Sequence, residues 1–143
     1  MSEITVIYAT KTKHSKRLAE AIASELQVKA QNINENPVLS DTRLLFIVGG
    51  IYGGVSMPAL LEYIKAMKEP APRFAAIVTS CSSGKQKQAD VRSLLEEKNV
   101  RVLDEFICKG GIFFVATRHP NPTDLHDVST YAQRIVRLSM EIR

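Results

Sequence analysis

The chain is poor in cysteine, has no long apolar run, and lacks the glycine signatures of the common nucleotide-binding loops. Two cysteines, Cys81 and Cys108, in 143 residues make no disulfide framework, so a reduced, cytoplasmic setting is expected. No apolar stretch approaches the roughly 20 residues of a membrane-spanning helix, so no membrane span is expected. The first residues enter a strand pattern directly, without a basic region and apolar stretch before it, and no signal peptide is expected. Neither G-x-x-x-x-G-K-[ST] nor G-x-G-x-x-G is present, which excludes a Walker loop and the dinucleotide fingerprint. There is no C-x-x-C or H-x-x-x-H, and His119 and His126 are not spaced as zinc ligands. Internal repeats, linkers and low-complexity segments are also missing, and the length suits one domain spanning residues 1–143.

What remains is ordinary for a globular chain: 45% hydrophobic and 24% charged residues. The formal net charge is +4, a modest excess that favours acidic partners or phosphates as well as solubility. Basic residues cluster at Lys11, Lys13, Lys16 and Arg17. They are not interleaved with aromatics, and no nucleic-acid-binding module is visible, so no nucleic-acid partner is expected.

Apolar strand patterns alternate with helical ones. Residues 4–8 read as a buried strand. Residues 15–26 read as a helix with Leu18, Ala19, Ile22 and Leu26 on one face and Ser15 as its N-cap. A weaker strand follows at 27–33, then a polar connection at 34–42. Residues 43–48 (RLLFIV) form a continuous apolar strand, which implies burial on both faces. After a "GGIYGG" loop comes a helix at 57–67, with Pro58 in its first turn. A strand at 74–78, a "TSCSSG" loop, a helix at 86–98 and a strand at 100–107 complete the regular pattern. Residues 110–121 read as irregular, and a long helix is expected at 123–142. Alternating strands and helices imply an α/β fold, a three-layer αβα sandwich around a five-stranded parallel sheet in the order 2-1-3-4-5. In such sheets a ligand sits beyond the carboxyl ends of the strands where the order reverses, here between the first and third strands.

Three loops converge on that edge. The first, with Thr10, Lys11, Thr12, Lys13, His14 and Ser15, offers hydroxyls, cations and the N–H groups of a helix N-terminus, which together suit a phosphate. The alternative is an ordinary capped helix with exposed lysines. The second, with Gly50, Ile51, Tyr52, Gly53 and Gly54, permits close backbone approach to a ligand, and Tyr52 is placed to stack on a planar one. The third, with Ser80, Cys81, Ser82 and Gly84, supplies more hydroxyls and amides. A thiol nucleophile at Cys81 lacks the flanks of a nucleophile elbow, and a phosphatase-type C-x-x-x-x-x-R fails because residue 87 is lysine. A phosphorelay receiver is excluded too, since Thr10 and Lys11 stand where an acidic pair belongs and Val48 and Gly49 where an aspartate does. Asp90, Asp104 and Asp124 are expected on solvated faces or caps.

These loops, in this order, resemble those of the flavodoxins. "TKTKHS" is similar to the family's phosphate loop, [ST]-x-T-G-x-T, at Thr10, Thr12 and Ser15, with Lys13 at the family's glycine and His14 at its common asparagine. "VGGIYGG" resembles the second flavin loop, with its aromatic near the isoalloxazine, and "TSCSSG" stands at the third. The stretch from Cys108 to Ile135 resembles the C-terminal part of small bacterial flavodoxin-like proteins. The resemblance covers nearly the whole chain and implies FMN as cofactor, electron transfer as function and redox proteins as partners. Three departures stand out: Lys13 for glycine, no aromatic in the third loop, and a basic chain in a family that tends to be acidic. A basic rim favours an anionic reduced flavin and so a less negative potential.

Three functions are therefore in view. The first is an FMN electron carrier between protein partners. The second is an FMN-dependent oxidoreductase resembling the flavodoxin-like quinone reductases or quinone-dependent protoporphyrinogen oxidases. The third is a flavin-free interaction module. Cys81 and Cys108, on neighbouring strands, also admit a redox-sensitive pair.

Overall fold

A computed structural model describes residues 4–9, 13–52, 55–82, 88–109 and 122–142. Its elements are β1 (Ile4–Tyr8), α1 (Lys13–Leu26), β2 (Ala30–Asn32), β3 (Leu44–Gly49), β4 (Ile51–Tyr52), β5 (Val55–Ser56), α2 (Pro58–Lys65), β6 (Phe74–Ser82), α3 (Ala89–Glu97), β7 (Arg101–Lys109) and α4 (Pro122–Glu141). Five strands form a parallel sheet in the order β2-β1-β3-β6-β7. Counting only these five, the order is 2-1-3-4-5. The strands β4 and β5 form a separate antiparallel hairpin.

The central strands are apolar on both faces because both faces are covered. Along β3 every residue from Leu44 to Gly49 is buried. Its side chains alternate with a period of two. Leu44, Phe46 and Val48 join Leu18, Ala19 and Ile22 of α1 and Val128, Tyr131 and Ile135 of α4. Leu45 and Ile47 join Leu60 and Ile64 of α2 and Val91 and Leu95 of α3. The sheet thus has α1 and α4 on one face and α2 and α3 on the other.

Several boundaries differ from the sequence expectations. Helix α1 begins at Lys13, so Ser15 lies inside the helix and is not its N-cap. The second strand shrinks to Ala30–Asn32, and a 3-10 turn at Ile33–Glu35 takes over its end. Asn32 caps that turn: its side chain accepts from the Asn34 amide at 3.1 Å, and Glu35 accepts from the Asn32 amide at 2.8 Å. The glycine-rich second loop contains the β4–β5 hairpin. Strand β6 runs on to Ser82, so Ser80, Cys81 and Ser82 are strand residues rather than loop. Its pairing with β7 shifts register between Thr79 and Ser82, the stretch in which Cys81 falls. The stretch 110–121, expected to be irregular, lies outside the described residues.

Two helices end in the same way without glycine. After α1, the Gln27 amide donates to the Ser24 carbonyl at 3.3 Å and the Val28 amide to the Ala23 carbonyl at 2.9 Å. After α3, the Asn99 amide donates to Glu96 and the Val100 amide to Leu95, both at 3.0 Å. These paired bonds are Schellman closures, which place a left-handed residue just past the helix. Gln27 and Asn99 occupy it at φ 58° and 63°. Asparagine tolerates this region, but glutamine has no local side-chain bond to offset it. Gln27→Gly is therefore expected to stabilise the fold by about 1 kcal/mol, read as a higher urea midpoint at unchanged slope.

Candidate functional site

The carboxyl ends of β1, β3 and β6 lie side by side, since β3 pairs with β1 on one side and β6 on the other. The Ala9 amide extends the first pairing by donating to the Val48 carbonyl at 3.0 Å. The strand order reverses between β1 and β3, and this is where a parallel α/β sheet opens a crevice. Helix α1 starts beside it. Its first turn carries no acid, and Lys13, Lys16 and Arg17 are exposed. His14 is half-buried.

Each face of the sheet carries a polar brace at this edge. On the α1 side, Ser15 is fully buried, and its Oγ lies 2.7 Å from Oγ of Ser80 on β6. Starting α1 two residues early turns Ser15 onto the same face as Leu18, Ala19 and Ile22, towards the sheet. The hydroxyl that the motif offered to a ligand is thus tied to a strand and buried beneath the helix.

On the other face, Gln88 is fully buried just ahead of α3. Its Nε2 lies 3.2 Å from the Val78 carbonyl, 3.3 Å from Thr79 Oγ1 and 3.4 Å from the Gly49 carbonyl. Gly49 leaves room for this amide. A Cβ there would sit 3.0 Å from Gln88 Oε1 and 3.1 Å from Leu60 Cδ2, tighter than packing tolerates without movement. Beside Gln88, Asp90 holds the hairpin. Its carboxylate accepts from the Ser56 amide at 3.0 Å, from Ser56 Oγ at 2.6 Å and from the Val91 amide at 2.8 Å. Burial pushes the Asp90 carboxyl up, but the bonds from Ser56 and from the start of α3 outweigh it and hold it below the usual aspartate value.

Of the residues singled out in the sequence, the structure brings Lys13, His14, Ser15, Gly50, Ile51 and Ser80 to this end of the sheet, with the backbones of Tyr52, Cys81 and Ser82. Gly50 is buried and Ile51 half-buried. Thr10, Lys11, Thr12, Gly53, Gly54 and Gly84 lie outside the described residues, as do the side chains of Tyr52, Cys81 and Ser82. Cys108 is buried on the α4 face. Sequence reasoning missed Ser56, Gln88 and the bonds by which Asp90, in the first turn of α3, anchors the hairpin. A groove of about 410 Å³, lined in part by Pro37, Val38, Leu39, Tyr63 and Met67, lies away from this edge. There the Tyr63 hydroxyl donates to the Pro37 carbonyl at 2.6 Å, and burial raises its pKa to about 12. Among the described residues no helix is long and apolar enough to cross a membrane, and no group of acids, histidines and cysteines is arranged to hold a metal ion.

The sheet order and the helix layers define a flavodoxin-like α/β fold. Solved structures agree. The chain is similar to the flavodoxin of Streptococcus pneumoniae TIGR4, with a TM-score of 0.69 at 10% identity, covering 94% of this chain and 97% of that one. It is similar to part of the rubredoxin oxygen:oxidoreductase of Desulfovibrio gigas, with a TM-score of 0.71 at 14% identity, covering 98% of this chain and 37% of that one. In sequence it is 25% identical to an uncharacterized protein of Methanocaldococcus jannaschii over 138 aligned positions, covering 87% of this chain and 91% of that one. No protein-family profile matches the chain.

The Asp90 carboxyl gives a test of the second brace. A carboxyl held below its ordinary value stabilises the fold at pH above the unfolded-state value. That contribution is lost as pH falls through the lower folded value. Asp90→Asn is therefore expected to lower the urea midpoint at neutral pH, with the gap closing as pH falls through the lowered folded-state value of Asp90. A gap that persists unchanged across this range would show that the carboxylate charge is not what holds the hairpin.

Proposed function

We propose that the chain binds FMN at the carboxyl edge of the sheet and acts as an electron carrier between protein partners. The observation that carries this reading is electrostatic. Helix α1 begins with Lys13 and continues through Lys16 and Arg17 with no acid in its first turn. Cations at a helix N-terminus oppose the macrodipole, so an anion bound there relieves a repulsion built into the helix. The residues fit the group: a cationic helix start for the phosphate, and a glycine-flanked hairpin beside β3 for the ring. Bound FMN supplies reversible one- and two-electron chemistry. On this reading the chain's own residues bind and orient it. Lys13, His14 and the backbone of Ser15 would hold the phosphate together with Thr10, Lys11 and Thr12. Gly50 to Gly54 and Ser80, Cys81, Ser82 and Gly84 flank the ring. Redox proteins are the partners, and a cytoplasmic location is part of the same proposal.

Resemblance to the flavodoxins in loop order supports FMN over other phosphate ligands. An FMN-dependent oxidoreductase of the quinone reductase or protoporphyrinogen oxidase type is the second reading. It is favoured by the lack of an aromatic in the third loop, which leaves one flavin face without a stacking partner from that loop. Turnover of NAD(P)H with a quinone separates the two. A flavin-free interaction module is the third.

Purified protein incubated with FMN and desalted is expected to retain the yellow flavin band at about one FMN per chain. Lys13→Glu is expected to weaken FMN binding by about tenfold at low ionic strength, less at high salt. The same change is expected to make the flavin potential more negative, because exchanging a cation for a carboxylate at the phosphate end disfavours the added negative charge of the reduced flavin. Protein that returns colourless from desalting at any FMN concentration overturns the carrier reading and leaves the interaction module.

A further inference from the structure

The polar brace on the α2–α3 face joins two segments that the sequence keeps apart. Ser56 closes the β4–β5 hairpin, opposite Ile51. Gln88 and Asp90 stand 32 and 34 residues later, at the start of α3, where the chain returns after β6. Ser56 is 1% and Gln88 0% exposed, so their contact is shielded from water, while Asp90 is half-buried at its edge. From the proposed FMN site, one of these segments leads out of the second flavin loop and the other out of the third. The geometry points to Ser56, Gln88 and Asp90 as a positioning bracket that couples the β4–β5 hairpin to the start of α3, so that these two segments are held as one unit before any cofactor arrives.

The bond pattern says how the bracket works. Ser56 has one hydroxyl proton and two acceptors in range, Asp90 Oδ1 at 2.6 Å and Gln88 Oε1 at 3.3 Å. The shorter, charged contact takes the proton. The Ser56 amide adds a second bond to the other carboxylate oxygen, at 3.0 Å. Two bonds from one residue to one carboxylate fix orientation as well as distance. Gln88 passes the constraint to the sheet through the Gly49 and Val78 carbonyls and Thr79 Oγ1. The hairpin is thus anchored to the ends of β3 and β6, although its own ladder is only two residue pairs long. An isolated hairpin of that size does not hold its shape in water.

This inference rests on the FMN reading for the identity of the ligand, but its central test needs none. Amide hydrogen exchange of the protein without added ligand is compared for the parent, Ser56→Ala, Asp90→Ala and the double variant. Each single change is expected to speed exchange at Ile51, Tyr52, residue 56 and Arg92, whose amide donates to the Gln88 carbonyl, by on the order of tenfold more than at Val6, Ile47 and Ile77, which follow global stability alone. The double variant is expected to fall short of the product of the two single effects, since both remove the Ser56–Asp90 hydroxyl bond. Each single variant is also expected to bind FMN about tenfold more weakly, from the same lost order.

Three results would overturn the bracket: hairpin amides that keep the parent rate, hairpin and core amides that accelerate by the same factor, or faster hairpin exchange confined to Ile51 and Tyr52 with Arg92 following the core. Unchanged FMN affinity in a variant with a loosened hairpin would overturn its positioning role. Parent protein that takes up no FMN sinks the cofactor reading alone, because the exchange comparison already decides the coupling.

Discussion

The structure depends on one constraint: β3 must be buried on both faces. Leu44 to Gly49 lie in the middle of the sheet, with β1 on one side and β6 on the other. A strand with apolar side chains pointing both ways needs an apolar layer above and below, and a single chain supplies them by crossover helices. Building outwards from β1, the chain adds β2 on one flank and then returns to add β3, β6 and β7 on the other. Right-handed crossovers in opposite directions put their helices on opposite faces. Helix α1 therefore packs on one side and α2 and α3 on the other, and their starts part above the gap between β1 and β3. The crevice is a consequence of burying β3.

The same edge is where the apolar core gives way to polar contacts. Ser15 with Ser80 closes one face, and Ser56 with Gln88 and Asp90 closes the other. Apolar side chains would fill those spaces at lower desolvation cost. Polar groups there hold loops in fixed orientations through directional bonds, which an apolar contact does not do. Beneath them the sheet supplies rigidity: at the far edge, Arg92 of α3 bonds Glu105 of β7 at 2.6 Å, and Arg134 of α4 bonds Asp104 at 2.8 Å. A rigid sheet with bonded loops at one end is the form a preorganised site takes.

How much of this the sequence disclosed depended on whether the signal was periodic. The unbroken run in β3 and the helical spacing of Leu18, Ala19, Ile22 and Leu26 announced a two-sided parallel sheet, and the strand order followed. Boundaries failed where a polar residue served the core. Ser15 reads as an N-cap because serine ahead of an apolar helix face usually is one, yet its hydroxyl is spent on Ser80. Thr79 to Ser82 read as a loop because hydroxyls and a cysteine hid a strand whose pairing with β7 continues. The hairpin was masked by its glycines. Ser56, Gln88 and Asp90 gave no signal at all, since nothing in a sequence pattern links residues more than thirty positions apart.

Lys13 is the residue on which the proposed site turns, and the backbone explains why glycine is not needed there. Glycine in a phosphate loop earns its place by conformations that side chains resist. Among the described non-glycine residues those with left-handed backbones are Gln27, Asn36 and Asn99, whereas Lys13 is the first residue of α1. A helical position suits lysine sterically. What it costs is electrostatic, a cation at the positive end of the helix dipole with Lys16 and Arg17 close behind. That cost is reversed by a bound anion, so the substitution that departs from the flavodoxin pattern increases the demand for a phosphate at this point of the fold.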